Sequence, residues 1–132
     1  MKTKAKDLMT RPVMSARRNA SARDIALQLL NGFYSGMPVT DDDGKVIGMV
    51  TEFDILNQLH KGKELTRINA GDIMVKNVLT VDVNTPVEEV MKVMLDKDVI
   101  RVPVTEKERL VGVIARCDIL KSYMEPEFVS YM

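Results

Sequence analysis

Cysteine is nearly absent from this 132-residue chain. Cys117 stands alone, which excludes an internal disulfide framework and fits a reducing compartment. An excess of charge of either sign is absent too. Lysine plus arginine and aspartate plus glutamate number 19 each, so no global field draws the chain toward nucleic acid or an anionic membrane, and any anion site must be local. Aromatics are 5% of the residues, and the small basic cluster Arg11, Arg17 and Arg18 has none interleaved, which disfavours nucleic-acid binding further. Apolar runs are short, far below the roughly 20 residues that span a bilayer. The opening Met-Lys-Thr-Lys-Ala-Lys does not lead into the apolar core of a signal peptide. These absences lead to the expectation of a cytoplasmic protein with neither membrane nor nucleic acid as partner.

The chemistry of catalysis is equally sparse. His60 is the only histidine, and no second His or Cys lies at metal-ligand spacing. Asp41-Asp42-Asp43-Gly44 lacks the alternating ligands and distal glutamate of a calcium loop, and reads as a turn. No nucleophile and base fall in a recognisable pattern, nor does a phosphate-cradling glycine loop. The expectation is no catalytic residue, no metal and no required cofactor.

What the chain does contain is itself, twice. At a shift of 65 residues Asp7, Met9, Val13, Asn19, Leu30, Pro38, Val39 and Thr40 meet Asp72, Met74, Val78, Asn84, Leu95, Pro103, Val104 and Thr105; after one extra residue the shift is 64, and Gly48, Asp54, Ile55 and Leu56 meet Gly112, Asp118, Ile119 and Leu120. A repeated supersecondary unit packs against its twin, so the two copies are expected to share one core. Within each copy a brief extended segment (Val13–Ser15, Val78–Val81) precedes a helix. Ser21, and Thr85 before Pro86, read as the helix starts. Apolar residues at helical spacing follow: Ile25, Leu29 and Leu30, then Val90, Met94 and Leu95. Met37-Pro38-Val39 and Val102-Pro103-Val104 read as strands, Asp43-Gly44 and Lys107–Arg109 as turns, and Thr51–His60 and Ala115–Met124 as closing helices. The order is β-α-β-β-α twice, an α/β (α+β) fold: repeat one over 1–60, a polar linker over 61–69, repeat two over 70–124 and a tail over 125–132. Helices are expected outside a pair of small sheets.

Gly48-Met49-Val50-Thr51-Glu52-Phe53-Asp54 and Gly112-Val113-Ile114-Ala115-Arg116-Cys117-Asp118 resemble the Gly-apolar-x-Ser/Thr-x-x-Asp signature of cystathionine-β-synthase (CBS) domains. The ordered set of early extended segment, apolar-Pro-Val strand and signature occurs twice and covers nearly the whole chain. The resemblance implies a tandem CBS pair, or Bateman module, with two repeats about a pseudo-two-fold axis. Such a pair regulates rather than catalyses, and binds AMP, ADP, ATP or S-adenosylmethionine in two inter-repeat clefts. It implies one cleft from Thr10, Val13, Ser15, Tyr34, Met37, Pro38, Arg101, Val113, Arg116 and Asp118. The other would be built from Met49, Thr51, Asp54, Val75, Val78, Thr80, Val99, Val102 and Pro103. The aspartates would hold the ribose, and Thr51, Arg101 and Arg116 the phosphate. Apolar slots, carboxylates and helix starts are the chemistry an adenosine nucleotide requires.

Local readings compete with these roles. Thr51-x-x-Asp54 is also a capping box, whereas Ala115 offers no capping hydroxyl to Asp118, which favours ligand binding there. Cys117 reads as small packing, and Met91 and Met94 as core filler. The copies differ where phosphate would lie: Gly36 against Arg101, Thr51 against Ala115, Glu52 against Arg116. The Asp118 cleft is therefore expected to be the stronger site for a phosphorylated adenosine. A homodimer is expected, aided by Phe128, Val129 and Tyr131, with an unidentified effector protein acting in trans. The alternative is a dimerisation or docking module that has lost nucleotide binding.

Overall fold

Each copy of the repeat folds as a helix, a short strand, a second helix, a strand hairpin and a closing helix. The computed structural model of the chain describes residues 3–11, 13–32 and 35–131, and for 125–131 the backbone alone. Copy one runs α1 (Ala5–Leu8), β1 (Ala16–Arg17), α2 (Ala22–Gly32), β2 (Gly36–Thr40), β3 (Val46–Thr51) and α3 (Glu52–His60). A 3-10 turn at Leu65–Arg67 leads to copy two: α4 (Ala70–Ile73), β4 (Val81–Asp82), α5 (Val87–Lys97), β5 (Arg101–Glu106), β6 (Arg109–Ala115) and α6 (Arg116–Tyr131). The expected order is present, with a one-turn helix added before each. The fold is α+β with two three-stranded sheets, β1-β2-β3 and β4-β5-β6, each with its first pair parallel and its second antiparallel.

The compact units do not coincide with the two copies of the repeat. One comprises Met1–Val13 with Leu79–Met132, the other Met14–Val78. The opening helix of each copy has been exchanged. Ala5 and Lys6 of α1 donate their amides to Thr85 O and Val83 O at 2.8 and 3.0 Å, and Ala70 and Gly71 of α4 donate to Ala20 O and Arg18 O at 2.8 and 2.9 Å. Each exchanged segment also closes the amide at the start of the long helix beside it, Val87 N to Thr3 O and Ala22 N to Ile68 O. Among the described residues, the buried apolar ones gather in two clusters, one in each unit. Val81, Val87, Val90, Met94, Val102, Val104, Ile114 and Ile119 gather around Ala5. Ile25, Leu29, Met37, Val39, Val50 and Ile55 gather around Ala70 and Met74. The segment read as a polar linker contributes too, since Ile68 is buried and Leu65 packs against the second cluster.

Two helix boundaries differ from expectation. Ser21 Oγ does accept the Asp24 amide at 3.1 Å and starts α2, but Thr85 Oγ1 turns back to the Asp82 amide at 3.1 Å. Thr85 therefore closes the turn after β4, and Pro86 takes the cap position of α5. At the other end α6 runs on to Tyr131, so the backbone of the expected tail is helical, while the side chains of Phe128, Val129 and Tyr131 lie outside the described residues.

The extra residue of copy one lies in its hairpin turn. There Asp41 Oδ1 accepts the amides of Asp43 and Lys45, each at 2.9 Å, and Gly44 takes a φ of 86°. The Lys45 amide in particular holds the Asp41 carboxyl below its ordinary range, against partial desolvation. A lowered native pKa adds stability above the unfolded value, so this contribution is in place at neutral pH and fades as pH falls through the native value. Copy two makes the same connection with two residues, Lys107 and Glu108, at φ of 51° and 69°. Two consecutive left-handed residues are what Asn-Gly supplies at least cost. Lys107→Asn with Glu108→Gly is expected to raise the urea midpoint by the equivalent of about 1 kcal/mol.

Candidate functional site

Strand alternation sorts the candidate residues before any chemistry is considered. In β5 and β6 the register pairs Val102 with Ile114 and Val104 with Gly112 on the core face, and Arg101 with Ala115 and Pro103 with Val113 on the other. In β2 and β3 the core pairs are Met37 with Val50 and Val39 with Gly48, while Gly36 with Thr51 and Pro38 with Met49 share the opposite face. Met37 and Val102, at 1% and 0% exposure, are thus taken up by core packing and offer a ligand no surface. Pro38 and Pro103 lie on the opposite strand face but are buried as well, while the other described candidates are half-buried or exposed. Thr10 joins the row of Val113 and Pro103 through a bridge in which its amide donates to Val113 O at 2.9 Å, and Val75 joins Met49 and Pro38 in the same way at 2.9 and 3.0 Å. Val13, Val78 and Val99 are half-buried, Ser15 and Thr80 exposed, and Tyr34 lies outside the described residues.

Glycine explains how these bridges form. A side-chain carbon on Gly48 would sit 2.5 Å from Met74 Sδ, and one on Gly112 would sit 2.6 Å from Met9 Sδ. Each signature glycine leaves the space that receives the methionine ending the exchanged helix, and the next residue or two then reach the bridge. The sequence aligned Met9 with Met74 and Gly48 with Gly112, but nothing local linked a glycine to a methionine of the opposite copy.

At the end of each hairpin the chain enters a helix through an aspartate. Asp54 Oδ2 accepts the Thr51 amide at 2.8 Å and the Thr51 hydroxyl at 3.0 Å, and Thr51 Oγ1 accepts the Asp54 amide at 3.4 Å. The capping box is real. Asp118 Oδ2 accepts the Ala115 amide at 2.7 Å, so it closes its helix without help from the residue 115 side chain. The missing hydroxyl therefore does not argue against capping at Asp118, because the carboxylate's half of the box needs only a backbone amide. Asp7 and Asp72 do the same for the one-turn helices, accepting the Lys4 and Asn69 amides at 2.8 and 3.1 Å. What separates Asp54 and Asp118 from these is position. Both are half-buried at the rim of the non-core sheet face, whereas Asp7 and Asp72 are exposed. Among the described residues, each site aspartate spends one oxygen on its cap, and a carboxylate offers about four acceptor positions. Thr51→Ala is expected to lower stability by about 1 kcal/mol, and Ala115→Thr to raise it by up to that amount, both read from urea midpoints.

The cationic candidates stand at different places in the second hairpin and its helix. Arg101 begins β5 opposite Ala115. Arg116 spans the loop between α5 and β5: its amide donates to Ile100 O at 3.0 Å, its Nε to Val99 O at 3.0 Å, and its Nη2 pairs with Asp98 Oδ1 at 2.9 Å. In copy one the Glu52 amide makes the matching bond to Ser35 O at 2.9 Å, but the side chain there is acidic. Cys117 is exposed beside Asp118 and not packed as expected. Among the described residues, no group of three or more His, Cys, Asp or Glu is arranged to hold a metal ion, and no helix is long and apolar enough to cross a membrane.

Comparison with known proteins agrees with this geometry. The CBS domain family model matches twice, over residues 5–61 and 70–125. Hypoxic response protein 1 of Mycobacterium tuberculosis is 28% identical over 131 residues, covering 98% of this chain and 92% of that protein. The uncharacterized protein MJ1404 of Methanocaldococcus jannaschii is 31% identical over 134 residues; the match covers 90% of this chain but 31% of that protein. Among solved structures, the CBS domain pair of protein MJ0100, crystallised with 5-methylthioadenosine and S-adenosylmethionine, superposes with a TM-score of 0.84 at 28% identity, covering 96% of this chain and 99% of that one. Two matches to one family model, over nearly all of the chain, place this protein in the CBS domain family as a tandem pair.

Proposed function

We propose that this CBS pair is a regulatory module that binds an adenosine-containing ligand at the non-core sheet faces ending in Asp118 and Asp54. The observation that carries the reading is a half-buried carboxylate with acceptor capacity to spare, set at the rim of an apolar strand face. Exposed Thr10 and half-buried Val113 provide an edge for a base, Asp118 an acceptor for ribose hydroxyls, and Arg101 a cation on the same strand face. The Asp54 face repeats this with Val75 and Met49 but has Gly36 where Arg101 stands, which suits a less anionic ligand. The adenosine derivatives bound by the MJ0100 pair support the ligand class. AMP, ADP, ATP and S-adenosylmethionine are the compounds to test.

The module acts by shifting a conformational or association equilibrium, which a ligand does only through its different affinity for the two states. Its effector is a separate protein, and its own association is with a second copy. A second reading, a docking or dimerisation module without nucleotide, draws on one observation: Leu30, Leu56 and Leu59 in copy one, and Leu95, Leu120 and Tyr123 in copy two, are exposed at matching helix positions, with Phe53 exposed in copy one besides. Mass spectrometry of small molecules released from the purified protein, with melting curves in added S-adenosylmethionine, AMP and ATP, separates the two. A bound ligand at about a hundred times its Kd adds about 2.7 kcal/mol. No released adenosine compound and no shift with any of the three leaves only the docking reading.

A further inference from the structure

Arg116 is engaged, and its charged partner is an aspartate. One residue thereby fastens three consecutive loop residues, Asp98, Val99 and Ile100, to the first turn of α6, two positions before Asp118. The three bonds are unequal. The two to carbonyls are made to backbone, whereas the one to the Asp98 carboxylate carries charge and is 95% exposed on the Asp98 side, with the Arg116 side chain at 50%. An ion pair that open to water is weak. A phosphate dianion offers the guanidinium shorter, charge-assisted and bidentate bonds, and Arg116 has donors left over.

Resting on the nucleotide reading, we propose that Asp98 is an internal competitor for Arg116 that sets the charge preference of the Asp118 site. A neutral nucleoside leaves the pair intact. A phosphorylated one must take Arg116 from Asp98, and its affinity is reduced by the strength of that pair. Copy one has no counterpart, because Glu52 stands where Arg116 would be. The loop is held at its start by left-handed Asp98, φ 52°, whose amide closes α5 on Met94 O. Losing the pair to phosphate leaves this anchor in place, so the exchange alters charge at the site without unfolding the loop.

Calorimetric titration of the full chain with adenosine and with AMP at low salt tests this. Asp98→Gly suits the left-handed position and removes the competitor, and Asp98→Asn removes only its charge. Each is expected to raise the ratio of AMP to adenosine affinity about two- to fivefold, the range of an exposed ion pair. Arg116→Gln is expected to lower that ratio and to abolish the effect of Asp98→Gly in the double variant. An unchanged ratio in Arg116→Gln, or equal gains for adenosine and AMP in Asp98→Gly, overturns the competition while leaving the nucleotide site standing. Wild-type protein that binds neither compound overturns the nucleotide reading and this proposal with it.

Discussion

Replacing Gly48 by valine is expected to destabilise the protein by about 3 kcal/mol, the upper end of the usual cost of overpacking a core. The added carbon would meet Met74 Sδ at 2.5 Å, Cγ at 2.7 Å and Cβ at 3.0 Å. A flexible thioether alone could swing aside. Its Cβ cannot, because the Met74 amide is fixed to Ala70 O at 2.9 Å at the end of α4. Relief therefore requires α4 to lift from the unit it joins. Gly112→Val is expected to behave alike in the other unit, where Met9 stands at 2.6, 2.9 and 3.0 Å. Urea unfolding measures both, and Met74→Ala supplies the control: it should recover part of the loss in the Gly48→Val background, giving a clear coupling in a double-mutant cycle. A Gly48→Val protein within about 0.5 kcal/mol of wild type, the range of an inconsequential surface change, would falsify the packing role.

Asp118→Ala is expected to weaken AMP binding by about 10- to 100-fold, the loss of one or more hydrogen bonds to a charged acceptor. Asp54→Ala should cost AMP binding much less, since its face lacks a cation at Gly36. Stability provides the necessary contrast. Both aspartates close a helix through one backbone amide, so both alanine variants should lose about 1 kcal/mol of folding free energy. Titration calorimetry beside urea unfolding thus separates a shared structural role from an unequal ligand role. Equal losses of AMP affinity in the two variants sink the asymmetry, whatever their stability.

Several parts of this molecule were legible because the signals are local. The alternation through the Pro-Val strands, the Ser21 cap and the Thr51–Asp54 box depend on residues within a few positions of one another, and the duplication shows as identities at a fixed shift. Other expectations failed where a neighbour offered a better partner. By its sequence Thr85 reads as a helix cap, but the Asp82 amide lies within reach of its hydroxyl and Pro86 occupies the cap position. Asp118 was separated from a capping role by the absence of a hydroxyl at Ala115, although the bond it makes is to backbone. The resemblance groups Met37 and Val102 with Pro38 and Pro103, yet successive strand residues face opposite ways.

Taken alone, the sequence determined the repeat, the order of its elements, the CBS family and the positions where the copies diverge, because periodicity and motif spacing are properties of short windows. Only the tertiary structure decided that α1 joins the second copy and α4 the first. It likewise showed that buried apolar residues gather in two clusters, that the signature glycines receive Met74 and Met9, and that Arg116 is held by Asp98. Each of these is a choice of partner. Docking α1 on the second copy joins residues some eighty positions apart, Ala5 to Thr85; hydrophobic burial can drive such a contact but names no partner, since it rewards area removed from water and not a position in the sequence.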